Sequence, residues 1–178
     1  IQFIFNELDS SFIGPSLICI IFGVLFFLSN FDHDKKLNLP QAFLLTGLSW
    51  VGIALFGALP FMFSNLELSI TDSIFESMSG ITTTGSTVIT NLNEAPKAIL
   101  LWRAILQWLG GIGIILMAIT LMPIMNVGGM QLFKISSNDN AEKILPRSKE
   151  ISLRLIIIYS ALTFSCALFY KIFGMNFF

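Results

Sequence analysis

The run Ile81-Thr82-Thr83-Thr84-Gly85-Ser86-Thr87 has the residue types needed to hold a bare cation. Threonine is stiff at χ1 and sets a hydroxyl oxygen beside its backbone carbonyl. Gly85, the one glycine in the run, permits backbone angles that bring neighbouring carbonyls toward a common axis. Carbonyls aimed in this way replace the hydration shell of an ion, which is how a selectivity filter works. In a soluble protein a threonine-rich run with a glycine is an ordinary loop, so the surrounding elements must decide between the two.

Other chemistries find little support. His33 is the one histidine and lies in the polar run Asp32-His33-Asp34-Lys35-Lys36, which reads as a solvated loop. Cys19 and Cys166 sit in apolar runs without metal-ligand spacing, so they are expected to be small core residues and not a disulfide. No nucleotide-binding glycine fingerprint and no transport-ATPase phosphorylation motif is present.

The composition points to the bilayer as solvent. Of the 178 residues, 54% are hydrophobic and 12% are charged, against about 25% charged in a soluble domain. Eighteen Phe stand against two Tyr. The net charge of −1 gives no basic face, so no nucleic-acid partner is expected, and membrane lipid is the partner the composition demands. A spanning helix needs about 20 mostly apolar residues. Four stretches qualify, at roughly 12–29, 39–63, 98–125 and 151–173. In lipid the backbone must satisfy its own hydrogen bonds, so these are expected to be helices. The chain begins at Ile1, without Met and without a signal peptide pattern, and is expected to be part of a longer protein.

Residues 64–96 behave differently. Ser69-Ile70-Thr71-Asp72 reads as an N-cap followed by an acidic third residue, and Gly80 as the stop. At the α-helical rise the helix between them is roughly 16 Å long, about half a bilayer. A half-length helix followed by a polar non-helical run is the pattern of a re-entrant loop. Its negative dipole end points at residues 81–87 and favours a cation there.

Basic residues orient the segments. Lys35 and Lys36 lie in the first connection, and Lys134, Lys143, Arg147 and Lys149 in the long one between 126 and 150. Residues 64–95 hold no Lys or Arg. The two basic connections are therefore expected inside and the re-entrant region outside. Charges at membrane depth are costly and face a partner or a cavity. For Glu76 and Arg103 one expectation is a pair that braces the half-helix behind the filter. The other has Arg103 reaching to the interface and Glu76 lining an outer vestibule. Gly110, Gly111 and Gly113 read as sites of close helix approach, or as a hinge. Trp102 and Trp108 fit either an interface or a core.

Phe75-Glu76-Ser77-Met78-Ser79-Gly80-Ile81-Thr82-Thr83-Thr84-Gly85, set between a half-helix and a long helix, resembles one pore repeat of the Trk/Ktr/HKT potassium transporter superfamily. Trp102-Arg103-Ala104-Ile105-Leu106-Gln107-Trp108-Leu109-Gly110-Gly111-Ile112-Gly113-Ile114 and Val127-Gly128-Gly129-Met130-Gln131-Leu132-Phe133 are similar to its bacterial TrkH-type members. The resemblance implies an all-α membrane protein of spanning helices with a re-entrant pore half-helix and filter loop. It divides the chain into a helix and cytoplasmic loop (1–38), a first helix–pore-loop–helix repeat (39–133), a cytoplasmic connection (134–150) and the first helix of a second, truncated repeat (151–178). It implies four such repeats in one chain, a homodimer, and a cytoplasmic nucleotide-binding regulatory partner of TrkA type. It implies potassium coordination by Thr83 and Thr84, with Gly85 as the filter glycine and Thr82 as a lesser contributor. The filter is shorter than the TVGYG of potassium channels, so fewer ion sites and looser selectivity are expected.

The leading function is therefore potassium uptake across a bacterial cytoplasmic membrane, with potassium the one ion implied. The alternatives are a sodium- or proton-coupled symporter subunit and a non-conducting assembly subunit. No enzymatic activity is expected: intramembrane hydrolysis needs a Ser, His and Asp set or facing carboxylates, and the four spanning stretches carry no carboxylate pair.

Overall fold

Every regular element among the described residues is helical. The computed structural model describes residues 10–29, 39–92, 94–125 and 141–175. The basic loop with His33, Lys35 and Lys36, and the motif from Val127 to Phe133, lie outside the described residues. A 3-10 turn, Ser10–Phe12, leads into α1, Ile13–Ser29. Then follow α2, Leu39–Met62, α3, Ile70–Ile81, α4, Lys97–Met125, and α5, Ala141–Ile172. Segments Phe43–Met62, Lys97–Ala118 and Glu150–Ile172 are long and apolar enough to cross a membrane. α1, at 17 residues, is shorter, and at about 1.5 Å per residue it stands at the lower limit of a span. The chain is an all-α membrane protein. α5 begins well before the expected start at Ile151, because Ala141, Glu142, Lys143 and Leu145 favour helix.

α3 forms where the Ser69 and Asp72 spacing predicts it. The Ser69 hydroxyl accepts the Asp72 N–H at 3.1 Å and donates to the Asp72 carboxylate at 2.6 Å. Its 12 residues span about 18 Å, too little to cross a bilayer. The expected stop at Gly80 is corrected: the helix continues to Ile81, and Gly80 is buried with Leu106 packed over it. The chain leaves the helix at Thr83, whose φ is 58°. The Thr83 N–H donates to the Gly80 carbonyl at 2.9 Å and the Thr84 N–H to the Ser79 carbonyl at 3.0 Å. These two bonds make a Schellman end, with a β-branched residue where glycine is usual.

The chain divides into two compact units, Ile1–Gly111 and Ile112–Phe178. In the first, Ala54, Gly57, Ala58 and Phe61 form the buried stripe of α2 at helical spacing. Phe61, Ile99 and Leu106 form the core, with Phe12, Leu66, Leu68 and Trp102 against it. Trp102 meets the edge of Phe12 at a centroid distance of 6.0 Å and donates its Nε1–H to the Gly57 carbonyl at 3.0 Å. It is a packing residue of this unit. The second unit holds the rest of α4 and α5. None of the described side chains of α5 is buried. Cys19 and Cys166 are both free and exposed, so neither is the core residue expected. Apolar helix faces in lipid have no need of protein cover, and the small thiols follow the helices that carry them.

Candidate functional site

The site is built outward from a carboxylate. α3 buries Ser73, Glu76, Ser77 and Gly80 at positions i, i+3, i+4 and i+7, the spacing of one helix face. Glu76 is fully enclosed, at 0% exposure. One of its oxygens accepts the Thr87 hydroxyl and the Val88 N–H, each at 2.6 Å. The other accepts Nε–H of Arg103 at 2.9 Å, in an ion pair. Of the two expectations for these charges, the brace is the one that forms.

Arg103 comes from α4 and is itself only 14% exposed. Its Nη2 donates to the Gly85 carbonyl at 2.9 Å and to the Ser86 carbonyl at 3.0 Å. The Ser79 hydroxyl donates to the same Ser86 carbonyl at 2.6 Å. A single carboxylate and a single guanidinium thus tie α3, α4 and the run after α3 together. Burying such a pair is costly unless its remaining hydrogen-bonding capacity is met. Thr87 and Val88 add donors to Glu76, and the two carbonyls take up Nη2 of Arg103, whose side chain keeps 14% exposure.

Residues 82–86 are non-helical and exposed in this chain. The Thr82 hydroxyl donates to the Met78 carbonyl at 2.7 Å and lies 2.8 Å from the Thr84 hydroxyl. A hydroxyl has one proton, so Thr84 is the donor in the second contact. Gly85 has φ 80°, a conformation that L side chains rarely adopt, and the Gln107 amide nitrogen packs beside it. On α4, Gly110 lies so close to the Ile81 carbonyl that a Cβ there would overlap it. Close approach is therefore the role of that glycine. Downstream, a cleft of about 300 Å³ is lined by Asn65, Glu67, Thr90, Asn91 and Glu94 among others, with no Lys or Arg.

Sequence reasoning places residues 82–85, Glu76 and Arg103 in one region. It misses Ser79, Thr87 and Val88 as partners. The readable signal is the polar stripe of Ser73, Glu76 and Ser77. A half-helix that turns Ser and Glu toward its own chain needs donors there.

Spanning apolar helices, together with a short, polar-anchored helix and a threonine-lined turn, define a multi-pass membrane protein. Residues 9–176 match the family described as TrkH: Cation transport protein, and the chain belongs to that family, a family of inner-membrane proteins. Two proteins of Halomonas elongata are similar to it. The Trk system potassium uptake protein TrkH is 45% identical over 88% of this chain and 33% of its own length. The Trk system potassium uptake protein TrkI is 45% identical over 96% of this chain and 35% of its own. The Trk system potassium uptake protein TrkH of Escherichia coli K12 is 40% identical over 93% of this chain and 35% of its own. The chain spans about a third of the length of these curated relatives.

Proposed function

We propose that the chain supplies one filter segment of a potassium uptake pore in the bacterial cytoplasmic membrane, with residues 82–85 facing the ion. The observation that carries this reading is the non-helical run at the C-terminal end of α3, open on one side and held on the other by Glu76 and Arg103. Thr83 and Thr84 offer the principal oxygens, Thr82 offers less because its hydroxyl caps α3, and Gly85 is the filter glycine. The negative end of the α3 dipole adds to the attraction for a cation. The printed names of the relatives, potassium uptake proteins, support potassium as the cargo. An open-sided run calls for neighbours. Three further segments of this kind would complete a pore, within a longer chain that dimerises and answers to a cytoplasmic nucleotide-binding subunit of TrkA type. Support for the repeats, the dimer and the subunit is the family resemblance.

The test is potassium uptake by the full-length protein in cells lacking other potassium uptake systems. Gly85→Val cannot adopt the left-handed backbone comfortably. Uptake is expected to fall about tenfold or more, equivalent to about 1.4 kcal/mol or more, with the amount of protein in the membrane unchanged. Parent-level uptake by Gly85→Val would overturn the reading.

A further inference from the structure

The carbonyls of the run fall into two sets. Those of Gly85 and Ser86 are occupied: Arg103 Nη2 donates to both, and Ser79 donates to the second. Among the described residues no donor reaches the carbonyls of Thr82, Thr83 or Thr84. The division falls where the backbone turns twice into the left-handed region, at Thr83 with φ 58° and at Gly85 with φ 80°. Those turns send the later carbonyls toward α4, where the guanidinium waits.

We propose that Arg103 sets the end of the ion-coordinating ladder at Thr84, by withdrawing the Gly85 and Ser86 carbonyls from the ion path. The inference rests on the filter reading above and narrows it. Gly85 contributes its backbone conformation, and the oxygens offered to a bare monovalent cation are those of Thr82, Thr83 and Thr84. A potassium ion on the Gly85 oxygen would share it with a guanidinium. Two positive charges would then stand within a few ångströms in a medium that screens them poorly. Glu76 makes this arrangement tolerable for ions one residue earlier. Its carboxylate at 2.9 Å neutralises Arg103, so the brace adds no net positive charge beside the path. Arg103 is thus a positioning residue. Its planar fork serves the carboxylate with one nitrogen and the two carbonyls with another, a fixed spacing that a lysine, whose three donors radiate from a single ammonium, does not reproduce.

The test uses the full-length protein. Crystals grown in rubidium are expected to show anomalous density within coordination distance of the oxygens of Thr82, Thr83 and Thr84, and none at the Gly85 carbonyl. Rubidium on the Gly85 carbonyl would overturn this inference while leaving the filter reading intact. Absence of rubidium from the whole run would overturn both. The second arm is Arg103→Lys, which keeps the charge and loses the fork. The variant is expected to reach the membrane as the parent does, to raise the KM for rubidium uptake by about tenfold, in line with the loss of an outer-shell partner, and to discriminate less between potassium and sodium. A folded Arg103→Lys protein with parental KM and parental discrimination would refute the positioning role. If that variant does not fold, the rubidium positions in the parent still decide.

Discussion

α3 and α1 follow opposite rules. α3 buries Ser73, Glu76, Ser77, Ser79 and Gly80 and leaves Ile70, Phe75 and Met78 exposed. α1 is apolar almost throughout, yet Pro15 is its one buried residue among those described, and Phe26 is 66% exposed. In a water-soluble protein the polar groups of α3 would face outward and the phenylalanines of α1 inward. In lipid the apolar side chain is already in a matching solvent, so apolar surface alone does not pull helices together. Polar groups have no such outlet. They turn inward, where Glu76 and Ser79 find partners on the following run and on α4, while the buried hydroxyls of Ser73 and Ser77 have none among the described residues.

The comparison can be broken most directly at Glu76. Glu76→Ala leaves Arg103 without its counter-charge and strips Thr87 and Val88 of their acceptor. A loss of about 3–5 kcal/mol is expected, the usual cost of removing one partner from a buried pair, read as thermal unfolding of the detergent-solubilised full-length protein. The double variant with Arg103→Ala should lose less than the sum of the two single losses. Strict additivity would show that the two charges are not coupled.

A smaller effect is expected at Gly110. A methyl group there collides with the Ile81 carbonyl, which is backbone and cannot rotate away. Gly110→Ala should cost about 2–3 kcal/mol, in the upper range for overpacking, and should lower potassium uptake as the end of α3 shifts. Unchanged stability and uptake would show that α3 and α4 do not meet this closely.

Thr83→Gly should act in the other direction. It relieves a β-branched residue held at φ 58° and should stabilise the folded protein by about 1 kcal/mol. Because glycine also frees the turn, discrimination between potassium and sodium should weaken, which competition uptake measures. The smallest effect belongs to α1. A methyl group added at Gly23 would meet nothing within 4 Å, so Gly23→Ala should shift stability by no more than about 0.5 kcal/mol. A large loss would mean that α1 is packed against protein rather than lipid in the full-length molecule.

Much of the architecture is legible in the residues. The stretches near 39–63 and 98–125 become α2 and α4 within a residue or two, and Ser69 caps α3 as its spacing from Asp72 requires. The stop of α3 is not legible in the same way, because glycine suits two roles. At 80 it is small so that Leu106 can pack on it, and the left-handed turn falls to Thr83 instead. The start of α5 escapes a hydropathy reading because polar residues of high helix propensity extend a helix past its apolar part.

Sequence alone determined what depends on near neighbours and on total apolar length: which stretches are long enough to cross lipid, where a helix is capped, and that a threonine run with a glycine follows a helix too short to span. Only the tertiary structure decided which partner each polar group takes. Arg103 lies 27 residues from Glu76 and 18 from Gly85, and Thr87 lies 11 from Glu76. No local rule joins residues so far apart. They meet because a charge excluded from lipid must find its partners inside the chain, and the close packing of α3 on α2 and α4 determines which ones are within reach.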